Sequence, residues 1–126
     1  CPAFVYTKTI DEVEKGAGYG MLSTLNDIKL SRLRRPSQIV AFQDNATSMA
    51  TGGKSVAGNP NIFHMESMGF YSLHFRHSRF GNVAWADGHV SGESFSRCTK
   101  TRNDVEAAEL VGKLGTDDDA HYEIDL

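Results

Sequence analysis

The pair Asp87-Gly88 constrains the fold of this chain more than any other feature of its sequence. It stands between two short segments rich in β-forming residues, NVAWA at 82–86 and HVSGESF at 89–95. An Asp-Gly pair in such a position strongly indicates a tight β-hairpin, because both residues tolerate a positive φ. We therefore predict a type I′ turn at Asp87-Gly88.

The turn type fixes which residues face each other across the hairpin. In a type I′ turn, Ala86 pairs with His89, and Trp85 pairs with Val90. Successive side chains of a strand alternate between its faces. We therefore predict that Val83, Trp85 and Val90 share one face and that this face belongs to the core.

Three other segments have the composition of strands. Residues 71–77 (YSLHFRH) alternate between the two faces, 39–42 (IVAF) suits a buried central strand, and 19–25 (YGMLSTL) suits a short strand. The four residues 78–81 can connect 71–77 to 82–86 as a second hairpin. The expected sheet is an antiparallel meander of about four or five strands.

Residues 101–115 (TRNDVEAAELVGKLG) have the pattern of a helix. Asn103 and Glu106 form a capping box, and Gly115 is a natural C-terminal stop. An i, i+3, i+4, i+7 apolar stripe is formed by Ala107, Leu110, Val111 and Leu114. We therefore predict an α+β fold in which this helix packs on the sheet.

The chain has 126 residues, a length that suits one domain, 1–126. Residues 46–60 are small, polar and rich in glycine, which predicts a long surface loop. The tail, 116–126, alternates apolar and acidic residues toward its end and could form an edge strand, so its role stays open.

Charge and hydropathy exclude some functions. A net charge of −3 gives no reason to expect nucleic-acid binding, and no apolar run approaches the roughly 18 residues of a membrane span. The sequence opens on Cys1-Pro2 without a methionine, which predicts a processed product or an excised domain. Cys1 and Cys98 could form a disulfide or remain free thiols, and Cys1 could instead be a lipidated first residue.

The histidines and acidic residues do not form a recognisable metal motif. A zinc site needs three or four converging ligands, and on a strand His74 and His77 point to opposite faces. We therefore predict no metal site. Asp117, Asp118 and Asp119 could chelate calcium, although a solvated charged loop explains them better.

Catalytic patterns are also lacking, which favours a non-enzymatic protein. No serine sits in a nucleophile-elbow context, and no two carboxylates stand out as acid and base. His77 precedes a predicted hairpin, where its ring can bond a backbone group or the Asp87 carboxylate. Asn82 can cap a turn through its amide. These roles are structural.

Residues 76–90 (RHSRFGNVAWADGHV) resemble the C-terminal signature of the prepilin-type processing-associated H-X9-DG proteins. These proteins are pilin-like or pseudopilin-like and are related to the major pseudopilin of type II secretion. The residues in register with the signature are Arg76, His77, Asn82, Val83, Ala86, Asp87, Gly88, His89 and Val90. The segment RPSQIVAFQD at 35–44 resembles the family's proline followed by an apolar strand that ends in an acid, and the Cys1-Pro2 opening agrees as well.

The resemblance implies an architecture and a function. Full-length members carry a prepilin signal, a long apolar N-terminal helix packed in a filament, and a soluble head on an antiparallel sheet. This chain would be the head alone, lacking the N-terminal helix. Its expected function is a structural, non-enzymatic subunit of an extracytoplasmic pilus or type II secretion pseudopilus-like assembly.

The resemblance also sets expectations for partners and ligands. The expected partners are other pilin or pseudopilin subunits, contacted through the absent helix, which would also be the membrane anchor before assembly. Calcium is the one cofactor it suggests, with Asp117 to Asp119 as candidates. Two departures are Ser78-Arg79-Phe80 in place of a glycine-rich turn, and Trp85 where phenylalanine is usual. The alternative function is a surface-exposed module that binds a glycan or a divalent cation.

Overall fold

The computed structural model describes residues 18–48, 56–57, 61–62, 64–65, 69–70, 72–101, 107–115 and 120–126. The strands in these ranges are β1 (Tyr19–Leu22), β2 (Val40–Asp44), β3 (Thr47–Ser48), β4 (Val56–Ala57), β5 (Asn61–Ile62), β6 (His64–Met65), β7 (Gly69–Phe70), β8 (Ser72–His74), β9 (Phe80–Trp85), β10 (Val90–Ser94), β11 (Cys98–Lys100) and β12 (Val111–Leu114). Short 3₁₀ turns occur at Ser23–Leu25, Leu30–Arg32, Pro36–Gln38 and Phe95–Arg97.

Two sheets carry the architecture. The larger has five strands in the order β10-β9-β2-β1-β5, and the smaller has three in the order β11-β12-β8. Neighbouring strands are antiparallel, except that β5 runs parallel to β1. Two small antiparallel ribbons, β3–β4 and β6–β7, accompany them.

The core draws side chains from both sheets, from the connection between β1 and β2, and from the C-terminal tail. Its buried members are Leu22, Leu33, Ile39, Val40, Ile62, Leu73, Phe75, Val83, Trp85, Ala86, Leu114 and Tyr122. The predicted core positions Val83 and Trp85 are confirmed.

The hairpin between β9 and β10 differs from the predicted type I′ turn. The Gly88 N–H donates to the Trp85 carbonyl at 2.9 Å, and the Trp85 N–H donates to the His89 carbonyl at 2.9 Å. Gly88 alone in this turn has a positive φ, of 96°. These contacts define a three-residue loop, a type I turn followed by a left-handed glycine. Trp85 therefore faces His89 and not Val90.

The longer loop shifts the register by one residue, and a shift of one moves a side chain to the opposite face. Val90 pairs with Ala84 and is 67% exposed, so the prediction that it belongs to the core is wrong.

Gly88 provides a direct test of this turn. At a φ of 96°, an added Cβ would be strained, although no atom lies within 4 Å of its position. We expect Gly88→Ala to lower the free energy of unfolding by about 1 kcal/mol in urea denaturation. Gly92→Ala is the matched control, because Gly92 lies in β10 without a positive φ and also has space. Equal stability of the two variants would contradict the left-handed assignment.

The predicted α+β fold, in which a helix over residues 101–115 packs on the sheet, is wrong. The described residues contain no α-helix of ordinary length, and β12 occupies the C-terminal part of this range. It pairs with β11 on one side and β8 on the other. As the central strand it is buried along its whole length, so its apolar residues do not alternate. The capping pair Asn103 and Glu106 lies outside the described residues.

Gly112 allows β12 to pair closely with β11. A Cβ on Gly112 would lie 2.8 Å from the Lys100 carbonyl oxygen and closer still to Cys98 Sγ. The close approach of β11 to β12 therefore requires glycine at this position. In a helix the same residue would only weaken the structure.

The predicted meander of 71–77 with the two later strands is also wrong, because β8 lies in the smaller sheet beside β12. His77 and Phe80 do exchange both backbone hydrogen bonds, at 2.9 and 3.0 Å. Ser78 and Arg79 between them have φ values of 52° and 69°, as a type I′ turn requires. The chain makes its tight turn there and crosses from one sheet to the other.

The described part of the tail, residues 120–126, docks on the core without forming a strand. Tyr122 is 2% exposed, and the Val40 N–H donates to the His121 carbonyl at 2.8 Å. In the range 46–60 that was predicted to be a loop, Ala46 is buried and the β3–β4 ribbon forms, while the rest lies outside the described residues.

Candidate functional site

A buried carboxylate, that of Asp44, collects the polar groups of three motif residues, Arg76, His77 and Asn82. Asp44, the last residue of β2, is fully buried. Its carboxylate pairs with the Arg76 guanidinium, lies 3.1 Å from His77 Nε2, and accepts the Asn82 backbone N–H at 2.8 Å. The Arg76 side chain is 2% exposed, so this ion pair lies in the interior.

The topology explains why these residues meet. β2 pairs with β9 in the larger sheet, whereas the next residue, Asn45, forms a bridge with Leu73 of the smaller sheet. Asp44 thus marks the point where the chain leaves one sheet for the other. Arg76 and His77 lie where the chain returns, between β8 and β9. The Asp44 carboxylate therefore connects the two places where the chain passes from one sheet to the other.

Arg76 is held on several sides. Its guanidinium also donates to the Gly18 carbonyl, approaches His74 Nδ1 at 3.4 Å, and lies 5.7 Å from the centre of the Tyr19 ring. Charge-assisted bonds of this kind are strong and geometrically specific. Because Asp44 forms a buried ion pair with Arg76, it is the centre of a structural ion-pair network.

His74 has an unusual proton affinity. Burial and the neighbouring Arg76 charge lower its pKa to about 4 from an ordinary value of 6.5. Between those two values the unfolded chain binds a proton that the folded protein does not. His74 therefore contributes stability above pH 6.5 that is lost as the pH falls toward 4.

We expect the free energy of unfolding to fall by on the order of 3 kcal/mol across this interval because of His74. Urea denaturation at a series of pH values would measure it. In His74→Gln the drop over this interval should shrink by that amount. An unchanged pH dependence in the variant would show that another group is responsible.

His77 has a different carboxylate partner from the one predicted. We expected its ring to bond a backbone group or Asp87, and its Nε2 lies 3.1 Å from the Asp44 carboxylate. Asn82 contributes its backbone N–H to that site, whereas we expected its side-chain amide to cap a turn.

Asp87 and His89 form a separate pair inside their own turn. The Asp87 carboxylate lies 2.5 Å from His89 Nδ1 and accepts the His89 N–H at 3.1 Å. The two bonds from His89 lower the pKa of Asp87. Both side chains lie at the surface, so this pair stabilises the turn locally.

Trp85 anchors the hairpin to the core. Its Nε1 donates to Ser91 Oγ at 2.8 Å, and the His89 ring stacks on it with centroids 5.6 Å apart. The His121 ring of the tail meets it edge-on at 5.1 Å. Trp85 therefore has a packing role.

A second buried polar network was not anticipated. Gln43 donates to Asn45 Oδ1 at 3.1 Å and accepts the Tyr122 hydroxyl at 3.0 Å. These residues tie the tail to β2. The alternation around Tyr122 was visible in the sequence, but nothing local indicated its partner.

Metal ligands and cysteines give little further chemistry. Within the described ranges, no three His, Cys, Asp or Glu side chains are close enough together to hold a metal ion. Asp117, Asp118 and Asp119 lie outside those ranges. Burial raises the pKa of the Cys98 thiol. Cys1 lies outside the described residues, so a disulfide with Cys98 and two free thiols both stay predictions.

The outward face of the larger sheet is apolar. An apolar row crosses four strands through the paired residues Val90, Ala84, Phe42 and Met21. We call this surface the outer face. It contains a groove of about 370 Å³ lined by Met21, Leu25, Leu30, Ala41, Phe42, Ala84, Trp85, Ala86 and Gly88.

Beside the groove lies a shallower hollow of about 290 Å³. Its lining includes Tyr19, Phe42, Asn82 and Val90. Tyr19 and Phe42 are 47% and 48% exposed, so large apolar side chains face outward here.

No helix within the described residues has the length and apolar character needed to cross a membrane. The chain was also compared with protein-family models, with curated proteins and with solved structures, and none of the three comparisons found a match. The resemblance to the H-X9-DG proteins therefore rests on the residues named above.

Proposed function

We propose that this chain is a structural, non-enzymatic part of an extracytoplasmic pilus or type II secretion pseudopilus-like assembly. The observation that carries the proposal is the apolar outer face. Large apolar patches on a soluble domain mark interaction surfaces. The groove between Leu30 and Ala84 suits one side of an apolar helix, which is the element through which pilin-like subunits assemble.

The ion-pair network around Asp44 supports the same proposal. The motif residues Arg76, His77 and Asn82 direct their polar groups at a buried carboxylate within the protein. Such a network specifies how two sheets join. The motif that resembles the family signature would then have a structural role in the fold.

The experiment begins with the coding sequence upstream of Cys1. A short basic leader, a Gly-Phe-Thr-like junction and about 20 apolar residues would support the proposal. A start codon shortly before Cys1 would refute it.

The second step compares two arginine substitutions at alanine positions, made in the full-length protein in its native host. Ala84→Arg puts a charge in the groove, whereas Ala108→Arg puts one at an exposed position away from it. We expect only Ala84→Arg to reduce the subunit recovered in sheared surface filaments or membrane-bound assemblies. Equal recovery of both variants would contradict a role of the outer face in assembly.

The alternative, a glycan-binding module, is favoured by the hollow beside the groove. Exposed aromatic rings at Tyr19 and Phe42 beside the Asn82 side chain suit a sugar ring. Titration calorimetry with a panel of oligosaccharides would test it. Binding that is lost in Tyr19→Ala would favour the module over the structural role.

A further inference from the structure

The strand β10 is an edge of the larger sheet among the strands that the structure describes. The Trp85 N–H donates to the His89 carbonyl, and the Phe95 N–H donates to the Arg79 carbonyl. Hydrogen-bonded pairs alternate with non-bonded pairs in an antiparallel ladder. Ser91 and Glu93 therefore bond to β9, and Val90, Gly92 and Ser94 turn their backbone N–H and C=O groups outward.

This edge has little of the usual protection. Natural edge strands avoid pairing with other chains by carrying lysine, proline, bulges or inward-pointing charges. The sequence of β10, VSGES, has no lysine or proline, its pairing with β9 has no bulge, and the charge of its inward-pointing Glu93 is neutralised by Arg97. Glu93 is 8% exposed, lies 2.5 Å from Arg97 Nη1 and accepts the Ser91 hydroxyl at 3.0 Å.

The edge is also self-complementary. If a second copy pairs antiparallel about Gly92, each Gly92 faces its own counterpart and each Val90 faces Ser94 of the second copy. Gly92 has space on its outer side, since the nearest atom to an added Cβ is Phe80 Cδ1 at 4.0 Å. No like charges meet in this arrangement.

Charge supports the same orientation. The antiparallel arrangement brings the turn containing Asp87 of one copy beside the 3₁₀ turn Phe95–Arg97 of the other. Arg97 is about half exposed there, and Arg79 lies over Phe95 at 4.9 Å. An acidic turn thus meets a basic one at both ends of the paired strands.

We propose that two copies of this chain associate through β10, antiparallel and centred on Gly92. The pairing joins two five-stranded sheets into one. It also places the outer faces of the two copies on the same side of the combined sheet, because directly opposite residues of an antiparallel pair share a face. This inference is independent of the proposed function, because it concerns the edge of the sheet and not the groove on its face.

Cysteine cross-linking tests the register. In a chain carrying Cys1→Ser and Cys98→Ser, Gly92→Cys places two thiols on residues whose Cα atoms are about 5.5 Å apart, within reach of a disulfide. Ser94→Cys is the matched control, since its two copies would lie about 14 Å apart. We expect mild oxidation to give a covalent dimer with Gly92→Cys and little with Ser94→Cys. Equal cross-linking of the two variants would overturn the proposal.

Analytical ultracentrifugation from micromolar to near-millimolar concentration gives the second readout. We expect the unmodified chain to dimerise and Val90→Lys to weaken that dimer about tenfold or more. Val90 is 67% exposed, so this variant should keep the fold, which thermal melting would verify. A chain that stays monomeric throughout, or a dimer that Val90→Lys leaves intact, would contradict the pairing.

Discussion

Replacing Asp44 with alanine should lower the free energy of unfolding by about 3–5 kcal/mol, as found when one partner of a buried ion pair is removed. The reason is the Arg76 guanidinium, whose side chain is 2% exposed and would keep its charge in the interior without the carboxylate. The Asn82 N–H would also lose its acceptor. Urea denaturation monitored by Trp85 fluorescence would measure the loss.

The matched control is Asp87→Ala. Asp87 belongs to the same sequence motif and also bonds a histidine, but it lies at the surface. We therefore expect a much smaller loss from Asp87→Ala than from Asp44→Ala. If Asp87→Ala proved equally destabilising, the turn would be the centre of the motif and the account would be wrong.

Replacing Tyr122 with alanine should have an effect of similar size, about 3–5 kcal/mol, which is typical of removing a large buried ring. Tyr122 is 2% exposed, and its hydroxyl donates to Gln43 within the core. The variant would leave a cavity and an unsatisfied acceptor. The tail would lose its principal anchor.

Two variants separate these contributions. Tyr122→Phe keeps the ring and removes only the hydroxyl, so we expect a loss of about 1–3 kcal/mol. Glu123→Ala changes the exposed neighbour and should be close to neutral. Neutral behaviour of Tyr122→Ala in the same urea denaturation would show that the tail does not dock on the core.

Local patterns predicted part of the fold. The period-two alternation placed Val83 and Trp85 in the core, and this is correct because a half-buried strand imposes that period. Whether the Val90 side chain faces the core or the solvent depends on the length of one turn. An Asp-Gly pair fits both a two-residue loop and a three-residue loop that ends in a left-handed glycine, and the second is the one formed.

The helix prediction failed for a physical reason. Four apolar residues, Ala107, Leu110, Val111 and Leu114, fit a helical stripe. Two of them, Val111 and Leu114, belong instead to a short strand that is buried along its whole length. The strand forms where it can pair with β11 on one side and with the distant strand β8 on the other, and glycine at position 112 permits the close approach of β11. No local pattern contains that information.

The candidate site was predicted only in part. The motif residues were identified, but Asp44 is 32 residues from Arg76 and 38 from Asn82, so their contact depends on the sheet topology. The one sequence signal was the acid that ends the apolar strand in RPSQIVAFQD. Its resemblance to the family pattern indicated the residue without indicating its partner.

Arg76 and His77 connect the two sheets through the buried Asp44 carboxylate. A double-mutant cycle of Asp44→Ala and Arg76→Ala, measured by urea denaturation, tests the claim that this buried pair joins the sheets. We expect a coupling energy of about 1–3 kcal/mol, because each partner alone leaves the other buried and unpaired. Additive effects of the two substitutions would contradict the claim.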